Sequence, residues 1–303
     1  MLQVSLVGEQ PIPNLLPAYY LKPEKILLIY SGYTEETFQR LKALMEDAHI
    51  QVEDLKCSDA YEAASIAQEL EVKLDSRSAP DEISFNLTGG TKAMVLAAYQ
   101  YAREIKSQVM YLESGRGISR LYQYKFAENG TLILTGKPEI PPLMSIEQFL
   151  DAHLGKDLWS ERSYSKDVGG VFERAVGEPL REKVDELKAG VHFLGVQGKR
   201  EQADLDLVIR AGNQFGVLEA KNQNKATLDA LKQLHYLSRL LGTYTKKFWI
   251  LTRSVNAEHQ AVIDATRTRI IEILDFNDGD TTLSPDSAQR LIQAIKAEME
   301  PKK

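Results

Sequence analysis

Asn86-Leu-Thr-Gly-Gly-Thr-Lys92 closes a stretch that reads as a strand, Glu82–Leu87, and leads directly into a helical segment, Ala93–Ile105. A strand, a glycine turn and a helix start in that order form an anion-binding geometry. Adjacent glycines let the backbone approach a ligand, the unpaired amides of the helix start point at it, and Lys92 adds a full positive charge. The turn is not a Walker A loop, which needs Gly-Lys-Ser/Thr with an earlier glycine, and it lacks the third glycine of the dinucleotide fingerprint.

The same unit recurs upstream. Leu2–Val7 reads as a strand, followed by Gly8-Glu-Gln-Pro-Ile-Pro-Asn14, where two prolines predict a structured loop. Lys25–Tyr30 is a continuous apolar run between Pro23 and Gly32, as expected of a buried parallel strand, and Thr34–Ala48 carries Phe38, Leu41, Leu44 and Met45 at helical spacing. Gln51–Leu55 reads as the next strand and Ser58–Leu74 as a helix capped by Ser58 or Asp59. Alternating strands and helices predict an α/β fold with a Rossmann-like, doubly wound parallel sheet.

Such folds bind ligands in the crevice at the carboxyl ends of their strands, so Thr88, Gly89, Gly90, Thr91 and Lys92 are candidate ligand residues. A plain turn joining strand to helix reads the same way. Gln10 and Asn14 would share that edge if the first strand is central. Ser31 and Thr34 follow another strand end, with helix capping by Thr34 as the competing explanation.

Gln108–Glu113 predicts a further strand, and Ser119–Phe126 with Thr131–Thr135 an antiparallel pair around Asn129-Gly130. The first domain is expected over 1–137. A proline-rich connector opens a link over 138–166 that includes a helical stretch at Ile146–Leu154, and a second domain is expected over 167–303. There Gly169–Leu180 predicts a helix carrying Glu173, Val191–Val196 a strand, Lys225–Leu241 an amphipathic helix, Lys247–Thr252 a strand and Asp286–Glu300 a helix.

Between them Ala203–Asn222 reads as two short strands around a tight turn, with Asp206 on the first and Glu219 and Lys221 on the second. Strand alternation has period two, so Glu219 and Lys221 share a face and Ala220 points the other way. Two carboxylates suit a hard cation such as Mg²⁺ or Mn²⁺, and a lysine suits a phosphate or an attacking water. Asp204 shares the strand face of Asp206 and is an alternative ligand. An ordinary hairpin with outward charges competes with this reading. Against it stand Glu173 on the preceding helix, Gln233 on the following one, and a segment rich in cations: Lys221, Lys225, Lys232, Arg239, Lys246, Lys247 and Arg253.

At 303 residues the chain is long enough for two cores, and 43% hydrophobic with 26% charged residues describes a globular protein. The net charge of -6 does not by itself suggest nucleic acid. A single cysteine, Cys57, excludes an internal disulfide framework and any multi-cysteine zinc site. His49, His153, His192, His235 and His259 lack ligand spacing and read as surface or packing residues, with His235 set apart only by its nearness to Gln233. No apolar stretch approaches the ~20 residues of a membrane helix, and the expected location is the cytoplasm.

Together the two motifs resemble those of the CRISPR-associated ancillary nucleases of type III systems. In that family a CARF domain, a Rossmann-like sensor, precedes a PD-(D/E)xK restriction-endonuclease-like α/β domain. Gly8–Asn14 and Leu87–Lys92 are similar to the sensor signatures, and Asp206, Glu219-Ala-Lys221, Glu173 and Gln233 to the nuclease signature. The proline of the PD signature is absent, and the frequent Glu-Cys-Lys reads Glu-Ala-Lys. The resemblance implies a homodimer whose paired sensor domains bind a cyclic oligoadenylate, foremost cyclic tetra-adenylate, and switch on the nuclease. The substrate would be single-stranded RNA or DNA, or duplex DNA that the enzyme nicks, and the cofactor Mn²⁺ or Mg²⁺. Asp206 and Glu219 would be metal ligands together with the Ala220 carbonyl, and Lys221 would orient or activate water. Glu173 would be a further acidic group, and Gln233 would position substrate or lysine.

Overall fold

A computed structural model describes residues 1–74, 82–115, 117–194, 203–222, 228–255 and 257–300. Two compact units account for the chain. The first comprises Met1–Ser114, Ile118–Met144 and Asp151–His153, and the remainder forms the second.

In the first unit, among the described residues, seven strands form one sheet. They are β1 (Leu2–Leu6), β2 (Lys25–Tyr30), β3 (Gln51–Lys56), β4 (Ile83–Asn86), β5 (Gln108–Gly115), β6 (Ile118–Phe126) and β7 (Leu132–Gly136), in the order β3-β2-β1-β4-β5-β6-β7. From β3 to β5 neighbouring strands run parallel, and β6 and β7 form the antiparallel pair expected around Asn129-Gly130. The helices are α1 (Ile12–Leu21), α2 (Glu35–Asp47), α3 (Ala63–Leu74) and α4 (Lys92–Glu104). Alternation along β1 sends Leu2, Val4 and Leu6 into one core with Ile66 and Leu70 of α3 and Met94, Ala97 and Ala98 of α4. The intervening Gln3 and Ser5 are buried, and Gln3 Nε2 donates to Ser5 Oγ at 2.9 Å.

Two expectations change here. The Gly8–Asn14 segment is a loop only as far as Pro11, which caps α1. Pro11 and Pro13 stand in the first turn, where no intrahelical donor is needed. Pro17 lies inside the helix, and the carbonyl its missing N–H leaves open, that of Pro13, accepts from Asn86 Nδ2 at 2.8 Å. The helix predicted from Ser58 begins at Ala63, because Glu62 caps it through the amides of Ala64 and Ser65. Asp59 instead accepts from the Tyr61 amide, and the Ser58 hydroxyl donates to Glu69.

In the second unit the sheet order is β13-β12-β11-β10-β9-β8, comprising β8 (Trp159–Glu161), β9 (Glu186–Phe193), β10 (Ala203–Ala211), β11 (Gln214–Lys221), β12 (Lys246–Leu251) and β13 (Arg269–Glu272). Pairing is antiparallel from β8 to β11 and parallel from β11 to β13. Besides α5 (Ile146–Leu154), the helices are α6 (Val168–Gly177), α7 (Leu228–Leu240), α8 (Ala257–Thr266) and α9 (Pro285–Met299). One face of the sheet, with Leu207, Ile209, Leu218, Ala220, Phe248 and Ile250, packs under Phe172 of α6 and Leu291 and Ile295 of α9. The alternate residues Val208, Val217, Glu219 and Trp249 face the other way.

Three differences from expectation follow from pairing. Trp159–Glu161, expected in the link, is an edge strand held by β9, and Phe149 of α5 stacks on Phe215 of β11 with ring centroids 3.9 Å apart. The strand predicted at Val191–Val196 begins at Glu186 and pairs with β10 over its length, while 195–196 lie outside the described residues. Neither α8 nor β13 is predicted from the sequence, and β13 extends the sheet through a parallel ladder on β12. The expected helix start at Lys225 also lies outside the described residues, and α7 is described from Leu228.

Candidate functional site

The first unit has a topological switch point between β1 and β4. The chain leaves β1 towards β2 and β3, then returns to the other side as β4. The carboxyl ends of these strands bring most of the predicted ligand residues to one edge. A Cβ on Gly89 would collide with the Leu6 carbonyl oxygen at the end of β1, and Gly90 adopts φ +74° with Leu6 Cβ only 2.8 Å from where its own Cβ would be. Backbone replaces side chain at both positions, so the turn lies directly against β1. Gly8 is equally close, since a Cβ there would lie 3.1 Å from the Gly90 amide.

Asn14 is fully buried beside this turn, and its side-chain oxygen and nitrogen both lack a hydrogen-bond partner among the described residues. Lys92 is exposed at the first position of α4. Gln10 is half-buried in the β1–α1 loop.

The hydroxyls in this region are committed to the fold. Thr88 Oγ1 donates to Asn86 Oδ1 at 2.6 Å and accepts from the Leu112 amide at 2.8 Å. Thr91 caps α4 by accepting from the Met94 amide and donates to the Ala60 carbonyl. Ser31 and Thr34 satisfy each other across a short 3₁₀ turn, so the capping explanation accounts for their observed bonds. Asn86, which holds Thr88 with one atom and α1 with another, is a positioning residue not predicted from the sequence.

The second unit gathers charge. The β10–β11 ladder reaches Leu207–Leu218, and the next residue outward on each strand is Asp206 and Glu219. Lys221 Nζ donates to Glu219 Oε1 at 2.6 Å and to Asp206 Oδ2 at 3.1 Å, and the Ala220 amide donates to Asp206 Oδ2 at 2.7 Å. Asp206 is 8% exposed and Glu219 4% exposed. Ala220 points into the opposite core, as strand alternation predicts.

Burial dominates the electrostatics. It pushes Glu219 up to about 8, helped by the Asp206 charge and opposed by Lys221. Asp206 is raised by burial too, against the pull of Lys221 and the Ala220 amide. Burial pulls Lys221 down, but the two carboxylates outweigh it and hold the ammonium above its ordinary value.

Glu219 Oε2 is buried and has no hydrogen-bond partner among the described residues. Glu173 lies on α6, which packs on β11, and its charge contributes to the rise at Glu219. Asp204 points elsewhere: it bonds His192 Nδ1 across the β9–β10 ladder. His192 is therefore a fully buried, partnered residue, which the in-register pairing of two strands explains and ligand spacing does not reveal. Gln233 is exposed on α7 and makes no hydrogen bond to the cluster among the described residues. Among those residues no three His, Cys, Asp or Glu side chains are grouped to hold a metal. None of the helices among the described residues is long and apolar enough to cross a membrane.

Residues 2–134 match the family model of the Card1 CARF domain. No curated protein matches the sequence. Among solved structures the chain is similar to the crystal structure of protein VC1899 from Vibrio cholerae, with TM-score 0.74 and 13% identity over 98% of each chain. It is similar to Can2 from Sulfobacillus thermosulfidooxidans, solved in complex with cyclic tetra-adenylate, with TM-score 0.73 and 15% identity over 99% of each chain. A third likeness, to a type III CRISPR defence DNA nuclease activated by cyclic oligoadenylate, has TM-score 0.63 and 15% identity and covers 97% of this chain and 51% of that one. At these identities the likeness is one of fold, and residues 2–134 carry a CARF domain.

Proposed function

We propose that this chain is an ancillary nuclease of type III CRISPR defence, in which a cyclic oligoadenylate bound by the CARF domain activates a metal-dependent PD-(D/E)xK centre. Cyclic tetra-adenylate is the leading activator, in keeping with the ligand of the Can2 structure. Two CARF domains of a homodimer would present two copies of the Gly89–Gly90 turn to a two-fold ring. The exposed Lys92 and the α4 amides would supply the polar contacts, with the buried Asn14 behind the turn.

One observation carries the nuclease half: the buried Asp206–Glu219–Lys221 cluster, with Glu219 Oε2 lacking any partner among the described residues. A buried carboxylate oxygen with an open lone pair suits a hard cation. Asp206, Glu219 and the Ala220 carbonyl would hold Mn²⁺ or Mg²⁺, which when bound polarises a phosphodiester and acidifies a water. Lys221 keeps the two carboxylates together in the resting state. When its charge is shared with a phosphate, the same ammonium orients the attacking water or the scissile group. Glu173 adds negative charge from α6. Gln233, exposed on α7, serves as a substrate contact on this reading and not as a support for Lys221.

The substrate is a single-stranded RNA or DNA, with nicking of duplex DNA as the further arm. Labelled single strands and plasmid, incubated with Mn²⁺ and cyclic tri-, tetra- and hexa-adenylate, test it. Cleavage that needs both the metal and one ring size is expected. Cleavage indifferent to every ring points to a ligand-independent nuclease, and binding without cleavage points to a regulator.

A further inference from the structure

A second feature of the second unit takes no part in the acid–lysine cluster. A pocket of about 220 Å³ is lined by Lys246, Lys247, Arg267, Thr268, Arg269 and Glu298. It opens where β12 and β13 begin, since Lys246 and Arg269 are their first residues. Lys221 pairs with Leu251 at the far end of β12, five residues along, which places the two sites roughly 17 Å apart at about 3.3 Å per residue.

The balance of charge in the pocket is uneven. Four cations face one carboxylate, and among the described residues none of the four forms an ion pair. Nearby in the same sheet, Lys188 is paired with Glu161 and Arg210 with Asp185 and Glu186. Burial and then the Arg267 charge hold Lys247 below the usual lysine range. The positive field reaches α7, where burial, Lys247 and Arg239 lower His235. In a chain of net charge -6, such a local excess of positive charge repels itself and is relieved by an anion.

The volume is below the roughly 300–1,000 Å³ of pockets that enclose a whole small ligand, which favours one group of a larger molecule. Phe248 borders the pocket but is fully buried, so it offers no face for a base to stack on.

We propose that this pocket binds a phosphodiester of a nucleic-acid backbone and anchors the strand, independent of sequence, at a distance from the acid–lysine cluster. Arginine and lysine bonds to phosphate fix register and orientation without reading bases. The inference deepens the nuclease reading by naming where the strand is held, but its test does not use cleavage.

Binding of a labelled 20-nucleotide single strand and the matching duplex to the full chain, in chelator and across 50–200 mM salt, gives the slope of log K against log salt. The double variant Arg267→Gln/Arg269→Gln changes two exposed side chains and is expected to reduce that slope by about 1, the contribution of the one phosphate the pocket holds. Glu298→Gln removes the one carboxylate and is expected to tighten binding, a gain that damage to the fold would not produce. Lys296→Gln, an exposed lysine paired with Glu300 and not lining the pocket, is expected to leave the slope unchanged. An unchanged slope in the double arginine variant overturns the proposal, as does an equal reduction from Lys296→Gln or a failure of the wild type to bind either probe. Wild-type binding with the expected slope changes, but no cleavage under any metal or ring, removes the nuclease reading and leaves the pocket standing. Cleavage with unchanged slopes does the reverse.

Discussion

The crevice at the ends of β1 and β4 and the cluster at the ends of β10 and β11 are built from opposite materials. The first is backbone: two glycines against Leu6, the start of α4, and hydroxyls already committed to holding the turn. Its one full charge among the predicted ligand residues, Lys92, stands exposed at the helix start. The second is charge out of water: two buried carboxylates share one ammonium, and one carboxylate oxygen has no partner among the described residues. A backbone site is sensitive to added atoms and tolerant of lost charge. A buried charge site is the reverse, and each of the following experiments presses on that contrast.

The largest effect is expected from Lys221→Met, which leaves Asp206 and Glu219 buried without a counter-charge. Removing one partner of a buried ion pair typically destabilises by about 3–5 kcal/mol. Thermal unfolding should show this loss at pH 8 and a smaller one at pH 5, where the protonated Glu219 no longer needs the ammonium. Equal losses at both values would mean that Lys221 acts by packing alone.

Gly89→Ala comes next. Its Cβ would meet the Leu6 carbonyl, and a small-to-large change in a packed site costs about 1–3 kcal/mol. Gly32→Ala, where a Cβ meets nothing within 4 Å, is the matched control and should change Tm little. Similar shifts in the two variants would remove the close approach of turn and β1.

Lys92→Ala should leave stability alone and weaken cyclic tetra-adenylate binding by about 1.5–3 kcal/mol, the range for hydrogen bonds to charged groups. Calorimetric titration giving an unchanged Kd would take Lys92 out of the crevice.

A further effect concerns pH. Glu219 ionises near pH 4.5 when unfolded and at about 8 when folded, so over that window the folded state holds the extra proton. Stability therefore falls as pH rises through it. In chelator, Glu219→Gln removes that loss and should raise Tm by about 3 °C or more at pH 9, with little change at pH 5. A Tm difference that does not vary with pH would contradict a carboxylate whose burial outweighs its ion pair with Lys221.

Much of this contrast is legible in the sequence. Period-two alternation in Glu219-Ala-Lys221 puts the acid and the lysine on one face, and a short hairpin puts Asp206 opposite them. Both rest on local geometry. What the sequence hides depends on partners far along the chain. Pro17 can stay inside α1 because Asn86, 73 residues from Pro13, takes the freed carbonyl. The α3 cap is Glu62, which uses a longer side chain than the usual Ser or Asp. Trp159–Glu161 is too short to read as a strand until β9 pairs with it, and β9 begins in Glu186-Leu-Lys, whose charges mask an edge that forms ion pairs with Arg210 and Glu161. Asp204 and Asp206 look equivalent by spacing, and only the β9–β10 register, which sets His192 beside Asp204, separates them.

The central claim is that the charge-built site cuts nucleic acid under control of the backbone-built one. The most direct test is cleavage of labelled single-stranded RNA and DNA by the wild type and Glu219→Gln, each with Mn²⁺ and with or without cyclic tetra-adenylate. The account predicts cleavage only by the wild type with both additives, falling by about 10³-fold or more in the variant, while calorimetry shows the variant binding the ring with the wild-type Kd. Equal cleavage by both proteins, or wild-type cleavage at the same rate without the ring, would contradict it.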